Sequence, residues 1–160
     1  MDNEHARFMQ VALEEAALAN AEGSIGVGSA VVHEGRVIER GHNTVDSTFD
    51  LTAHAETATL RSLSIRLRRP IPRHGTGPGL LAGHVLYTTV EPCAMCCGAV
   101  LHARLARVVY GAPDPKAGAA RSLYRLLDDP RMNHEVAVTG GVRSVDCAGL
   151  VVEFFRSKRS

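Results

Sequence analysis

Glu91-Pro92-Cys93-Ala94-Met95-Cys96 follows directly on the run Leu86-Tyr87-Thr88-Thr89-Val90. A β-rich run that meets a proline and then two cysteines three apart reads as a strand feeding a helix, with Pro92 suited to the first turn. At that spacing both sulfurs can face one point. Upstream, Thr52-Ala53-His54-Ala55-Glu56 opens a second predicted helix and contributes a histidine. One imidazole and two thiolates are ligands of the kind zinc prefers, and they leave the fourth tetrahedral position to a water that the metal acidifies toward neutrality. A helix N-terminus and a metal both favour the thiolate forms of Cys93 and Cys96. Glu56, two residues from His54, is placed to take that water's proton as a base and return it as an acid. The competing arrangement is a closed structural site completed by Cys97 or another histidine. Adjacent residues on a helix point about 100° apart, which makes joint ligation by Cys96 and Cys97 awkward.

Outward from these motifs the chain alternates strands and helices. Residues 3–21 carry Phe8, Val11, Leu13 and Leu18 among many alanines and read as a helix that Gly23 ends. Val27–His33 and Arg36–Gly41 read as a hairpin turning at Glu34-Gly35. A helix is expected from Thr52 or Ala53 to about Leu67, then a loop over Pro70–Gly83 with three prolines and four glycines. A strand over His84–Thr89, a helix from Pro92 to about His102 and a strand over Arg107–Tyr110 follow. A helix near Ala119–Leu127, a strand at Val136–Thr139 and a helix near Val145–Arg156 close the chain. The expected fold class is a three-layer α/β/α domain with about five strands in a mixed sheet, a single domain over residues 1–160. The metal would sit where two helix N-termini meet at the sheet edge.

Composition sets bounds on function. At 160 residues, 45% hydrophobic and 22% charged, the chain is an ordinary globular domain. No apolar run approaches the roughly 20 residues a bilayer span needs, and Met1-Asp2-Asn3-Glu4-His5 is unlike a signal peptide. Of four cysteines, three fall within Cys93–Cys97, which suits a metal better than a disulfide framework and points to a reducing cytoplasm. Cys97 and Cys147 read as small buried residues. The other histidines lack a partner at ligand spacing. The net charge of +1 hides a division: residues 1–56 hold ten acids and three bases, and residues 57–160 hold fifteen bases and seven acids. Such segregation fits a basic face for a polyanion such as RNA, or two ordinary solvated surfaces.

The pattern His-x-Glu…Pro-Cys-x-x-Cys is the signature of the zinc-dependent nucleobase deaminases, and the chain resembles the cytidine-deaminase-like superfamily. A longer set of residues narrows the resemblance to the tRNA-specific adenosine deaminases. It includes Leu86–Cys96, Gly98–Arg104, Val109–Ala120, Asp129–His134, Val138–Val142 and Phe154–Arg159. The resemblance implies His54, Cys93 and Cys96 as ligands to one Zn2+ per subunit and Glu56 as the proton shuttle. Asn43 would hydrogen-bond the substrate nucleoside, and the backbone amide of Ala55 would face the metal-bound oxygen. Read without the resemblance, Asn43 is a turn residue just past a strand. The resemblance also implies a homodimer with the RNA site built across two subunits. It places the C-terminal helix beside the anticodon loop, making Phe155, Arg156, Lys158 and Arg159 RNA contacts. The alternative there is a solvated terminal helix with its apolar face on the core.

Several residues depart from that family. Where its members usually read Pro-Val-Gly-Ala, this chain has Gly26-Val27-Gly28-Ser29, and Leu51 replaces a usual proline. The segment between Glu56 and Leu86 is longer by several residues and carries Arg61, Arg66, Arg68, Arg69 and Arg73, with no acid from Thr57 through Thr89. These departures are expected around the approach to the pocket, where they bear on substrate choice more than on chemistry. The arginines either grip phosphates or decorate a surface loop. The implied activity is hydrolytic conversion of wobble adenosine to inosine in the tRNA anticodon stem-loop. The alternatives are a deaminase of a free nucleobase or nucleoside (cytosine, guanine or a related ring) and a noncatalytic RNA-binding subunit, which would have no use for Glu56.

Overall fold

The computed structural model describes residues 2–72 and 78–159. In chain order the elements are α1 (Asp2–Ala21), β1 (Gly28–His33), β2 (Arg36–His42), α2 (Val45–Thr48), α3 (Ala55–Leu67), β3 (Val85–Val90), α4 (Ala94–Ala103), β4 (Arg107–Ala112), β5 (Ala137–Thr139) and α5 (Ser144–Arg159). The sheet runs β2-β1-β3-β4-β5. β1 is antiparallel to both β2 and β3, whereas β3, β4 and β5 are mutually parallel.

Alternation along the strands divides the core between two faces. Val31, Leu86, Val108 and Tyr110 pack in one cluster with Leu60 and Leu63 of α3 and Cys97 and Val100 of α4. Their neighbours Val32, Tyr87 and Val109 belong to a second cluster with Phe8, Met9, Ala12 and Leu13 of α1 and Cys147 of α5. Successive side chains leave a strand on opposite faces, so α3 and α4 cover one face and α1 and α5 the other. This is the expected three-layer arrangement with a five-stranded mixed sheet. The apolar positions 8, 9, 12, 13, 16 and 19 of α1 are all buried and form the stripe a helix needs to lie on a sheet. The crossing is close at Gly28, where a Cβ would fall 2.1 Å from the carbonyl oxygen of Ala12 and 2.4 Å from the nitrogen of Ala16.

Three expectations change. Residues 119–127 form turns, with no helix, because Glu91 takes the amides of Arg121 and Ser122 at 2.7 Å each. Those N–H groups are then unavailable to a helical ladder. The helix expected from Thr52 or Ala53 starts at Ala55, and the one expected at Pro92 starts at Ala94, leaving His54 and Cys93 as their N-caps. The metal-ligand motifs lie at the C-terminal end of β3, the central strand, and not at an edge of the sheet. At that point pairing changes from antiparallel to parallel, and the carboxyl end of a strand at such a switch is where open α/β sheets bind ligands. Of the expected loop Pro70–Gly83, residues 73–77 with Arg73 lie outside the described residues; the rest carries no helix or strand.

Candidate metal centre and active site

His54 and Cys93 hold the N-cap positions of α3 and α4, both in extended backbone and neither side chain capping its own helix. The side chains meet each other instead. His54 Nδ1 lies 3.6 Å from Cys93 Sγ and 3.6 Å from Cys96 Sγ, and the three donor atoms fall within 4.8 Å of one another. A tetrahedral zinc with bonds near 2.3 Å to sulfur and 2.05 Å to nitrogen imposes an S···N separation of about 3.6 Å. The donor set therefore fits zinc in spacing and in kind. Cys97 turns away to the carbonyl of Pro92 and does not join the group, so the described residues leave a fourth position open, as catalytic sites require.

Electrostatics suit ligation. The hydrogen bond from Cys96 pulls the Cys93 thiol down to about 3 against the effect of burial, and His54 assists. Cys96 is pushed far up by the bond it donates to Cys93 and by burial, so binding a metal as two thiolates releases a proton. The Cys93 contact also raises His54, against burial, and the Glu56 carboxylate adds to this.

Glu56 is buried and reaches into the same spot. Its Oε2 lies 3.1 Å from Cys96 Sγ, and its Oε1 accepts the Thr88 hydroxyl proton at 2.6 Å. The centre opens into a cavity of about 560 Å³, within the range of small-molecule sites. His54, Ala55, Glu56, Cys93 and Asn43 line it. Asn43 plays its turn role as well: Oδ1 accepts the Val45 amide at 3.1 Å, and its amide nitrogen makes no hydrogen bond among the described residues. Phe155 closes the cavity with Val151 and Val152 of α5, while Arg156, Lys158 and Arg159 are exposed in the last turn and do not line it. Lys158 Nζ sits 5.4 Å over the Phe154 ring.

Two departures prove to be packing features. Ser29 Oγ donates to the Ala55 carbonyl at 2.8 Å and meets Thr59 Oγ1 at 2.6 Å, tying β1 to α3 behind the site. A Cβ at Gly26 would meet the Asn20 amide at 2.7 Å, and Asn20 Nδ2 donates to the Leu150 carbonyl of α5. Asn20 thus fills the space of the usual proline. Glu91, which carries no role in the sequence reading, accepts hydrogen bonds from Asp114, Arg121 and Ser122. Burial works against its charge, but these donors hold its carboxyl below the usual range. An acid directly before the Pro-Cys-x-x-Cys run is the signal the sequence carries for it.

Comparison with known proteins agrees with this centre. Residues 2–112 match the family described as cytidine and deoxycytidylate deaminase zinc-binding region. The tRNA-specific adenosine deaminase of Streptococcus pyogenes serotype M18 is 37% identical over 156 residues, covering 98% of this chain and 92% of the relative. A solved structure from work on A-to-I editing by tRNA:A34 deaminases at the wobble position superposes with a TM-score of 0.80 at 37% identity, covering 90% of this chain and 98% of that one. A guanine deaminase from Nitrosomonas europaea, 23% identical with a TM-score of 0.73 over 93% of this chain and 83% of its own, shares the fold. No helix among the described residues is long and apolar enough to cross a membrane. The chain belongs to the cytidine and deoxycytidylate deaminase family, in the branch whose members are named tRNA-specific adenosine deaminase.

Proposed function

We propose that this protein hydrolyses the wobble adenosine of a tRNA anticodon loop to inosine, consuming water and releasing ammonia. The observation that carries the reading is the His54–Cys93–Cys96 donor set with Glu56 beside it, at the base of a nucleoside-sized cavity, in a chain 37% identical to tRNA adenosine deaminases. Zinc held by the three donors would supply Lewis-acid activation of the water. Glu56 moves the protons: it takes one from the water to ring N1 of the adenine, then carries the one on the added hydroxyl to the C6 amine, which leaves as ammonia. Its bond to Thr88 fixes one oxygen and leaves the other toward the reacting centre. The free amide nitrogen of Asn43 holds the nucleoside, and the Ala55 amide, at the N-terminus of α3, favours negative charge on the oxygen that adds to C6. A loop base is already unpaired, so its extrusion into the cavity costs less than from a duplex.

Phe155 on the cavity wall offers a face for a flanking base, and Arg156, Lys158 and Arg159 offer charge for the phosphates beyond. The proposal includes a homodimer, with exposed Phe49 and Leu51, in the segment that leads to His54, as apolar surface, and residence in the cytoplasm. The test is ammonia release by zinc-loaded protein, with an anticodon stem-loop carrying the wobble adenosine compared against free adenosine, cytosine, cytidine and guanine. Glu56→Ala should retain zinc and lose on the order of 10²–10⁴ in turnover. Turnover of a free base with an inert stem-loop would move the substrate to a small molecule, and an active Glu56→Ala would remove Glu56 as the shuttle.

A further inference from the structure

The segment 113–122 leaves β4, passes the mouth of the metal centre and returns without regular structure. Pro113, Asp114, Lys116 and Ala117 line the cavity from this strap. Both of its ends close on one carboxylate. Glu91 Oε1 accepts the amides of Arg121 and Ser122 at 2.7 Å each, while Oε2 accepts the Asp114 amide at 2.9 Å and the Ser122 hydroxyl. Glu91 is 2% exposed, and among the described residues no cation pairs with it. Its charge is met entirely by donors of the strap, each of them a charge-assisted bond. Gly118 passes so close that a Cβ there would lie 2.3 Å from the carboxylate. Inside the strap, the Asp114 side chain accepts the amides of Lys116 and Ala117. The Ala119 amide bonds to the carbonyl of Pro92, next to Cys93.

We infer that Glu91 is a positioning residue for substrate: it clamps both ends of the strap, so that Asp114, Lys116 and Ala117 stand as a preformed wall of the substrate cavity. This rests on the deaminase reading above and adds to it a residue that lies on the cavity wall but outside the metal donor set, with both carboxylate oxygens turned to the strap. Glutamine at this position is isosteric, but its NH2 faces a backbone N–H whichever way it turns. The Ser122 hydroxyl can reverse to accept, and the Asp114 amide cannot. The wall then loosens at Asp114, while the ligands and Glu56 stay in place.

The test compares wild type with Glu91→Gln and the milder Ser122→Ala, on the zinc-loaded protein. Steady-state kinetics on the anticodon stem-loop are read beside zinc content and backbone amide exchange without substrate. For Glu91→Gln, KM rises about tenfold or more while kcat stays within about threefold, the pattern of lost binding common to ground and transition states. Zinc stays at wild-type stoichiometry, and the amides of Asp114, Arg121 and Ser122 lose protection. Ser122→Ala gives a smaller rise in KM, and it carries the test if Glu91→Gln does not fold. Unchanged KM, or a fall in kcat or zinc content at constant KM, would overturn the inference and make Glu91 a support of the metal segment. Inert wild-type protein on the stem-loop would overturn the substrate assignment alone. In that case retained amide protection in Glu91→Gln would still defeat the clamp.

Discussion

Ser29→Ala restores the residue usual in the tRNA deaminases, and the structure sets what it should do. The Ser29 hydroxyl is fully buried and donates to the Ala55 carbonyl while meeting Thr59 Oγ1. Removing it orphans nothing. The Ala55 carbonyl keeps the Thr59 hydroxyl at 2.7 Å and the helical amide four residues on, and Thr59 keeps that same bond. The loss is one net hydrogen bond between neutral groups, about 0.5–1.5 kcal/mol. At about 2–4 °C per kcal/mol for a domain of this size, Tm should fall by about 1–6 °C. Ser29 does not line the cavity, so the ratio of kcat/KM for the stem-loop to that for free adenosine should stay within about twofold, or roughly 0.4 kcal/mol. Thermal unfolding and competition kinetics on the two substrates read both quantities. A tenfold change in that ratio would refute the reasoning, because it would mean that the strand departure reaches the substrate. An unchanged Tm would show that the hydroxyl contributes nothing.

Two further expectations follow from the same contacts. Zinc should bridge the N-termini of α3 and α4, so a chelator should lower the Tm of protein previously held at about 100 times the zinc Kd by about 5–11 °C, from about 2.7 kcal/mol of linkage. Restored zinc should reverse the loss, and an unaffected melt would exclude the three donors as a tight site. His42 faces Glu15 at 2.6 Å through Nδ1 and Glu22 at 2.8 Å through Nε2, and only the imidazolium can donate from both nitrogens. Burial works against that charge, but the two carboxylates outweigh it and hold the His42 pKa above 6.5. A raised native value gives stability that is complete below the unfolded pKa near 6.5 and is lost as pH rises through the folded one. Urea midpoints measured from pH 6 upward should therefore fall in the wild type more than in His42→Gln, and equal slopes would discount the pair.

Much of this was legible in the chain because it is local. The apolar stripe of α1, the Glu34-Gly35 turn, and the Pro-Cys-x-x-Cys entry to α4 each carry their own signal within a few residues. So does the zinc set, since the helix starts that present His54 and Cys93 are written beside the ligands themselves. What failed was decided at a distance. Residues 119–127 have the composition of a helix, but Glu91, some 30 residues earlier, claims two of their amides. Propensity is worth at most about 1 kcal/mol per ordinary residue, and charge-assisted bonds to a buried carboxylate exceed it. Gly26 reads as a change at the approach to the pocket, whereas the Asn20 amide occupies the space the proline ring would take.

The arginine-rich stretch shows how far composition carries a functional reading. Acid-free sequence from Thr57 through Thr89 fits phosphate binding and a solvated loop equally well, because neither depends on order along the chain. Position in the fold separates the members. Arg61 lies 3.6 Å from Asp50, beside the loop that leads to His54. Arg66 is bound to the Glu39 carboxylate and the Ile38 carbonyl of β2, twelve residues along α3 from His54, or about 18 Å at the helical rise. Much of its charge is already answered by the protein. Arg68 and Arg69 follow it at that far end and are exposed. A phosphate held there lies well beyond a base seated at Glu56, so those two arginines could meet only a part of the RNA remote from the edited nucleotide. Among the basic residues, Lys116 on the strap lines the cavity, and Arg156, Lys158 and Arg159 follow the lining residue Phe155 in the last turn of α5. A substrate that enters base first and lays its backbone across that end meets charge from two elements that the sequence separates by some 40 residues. That convergence favours a folded RNA loop over a free base as the occupant of the site.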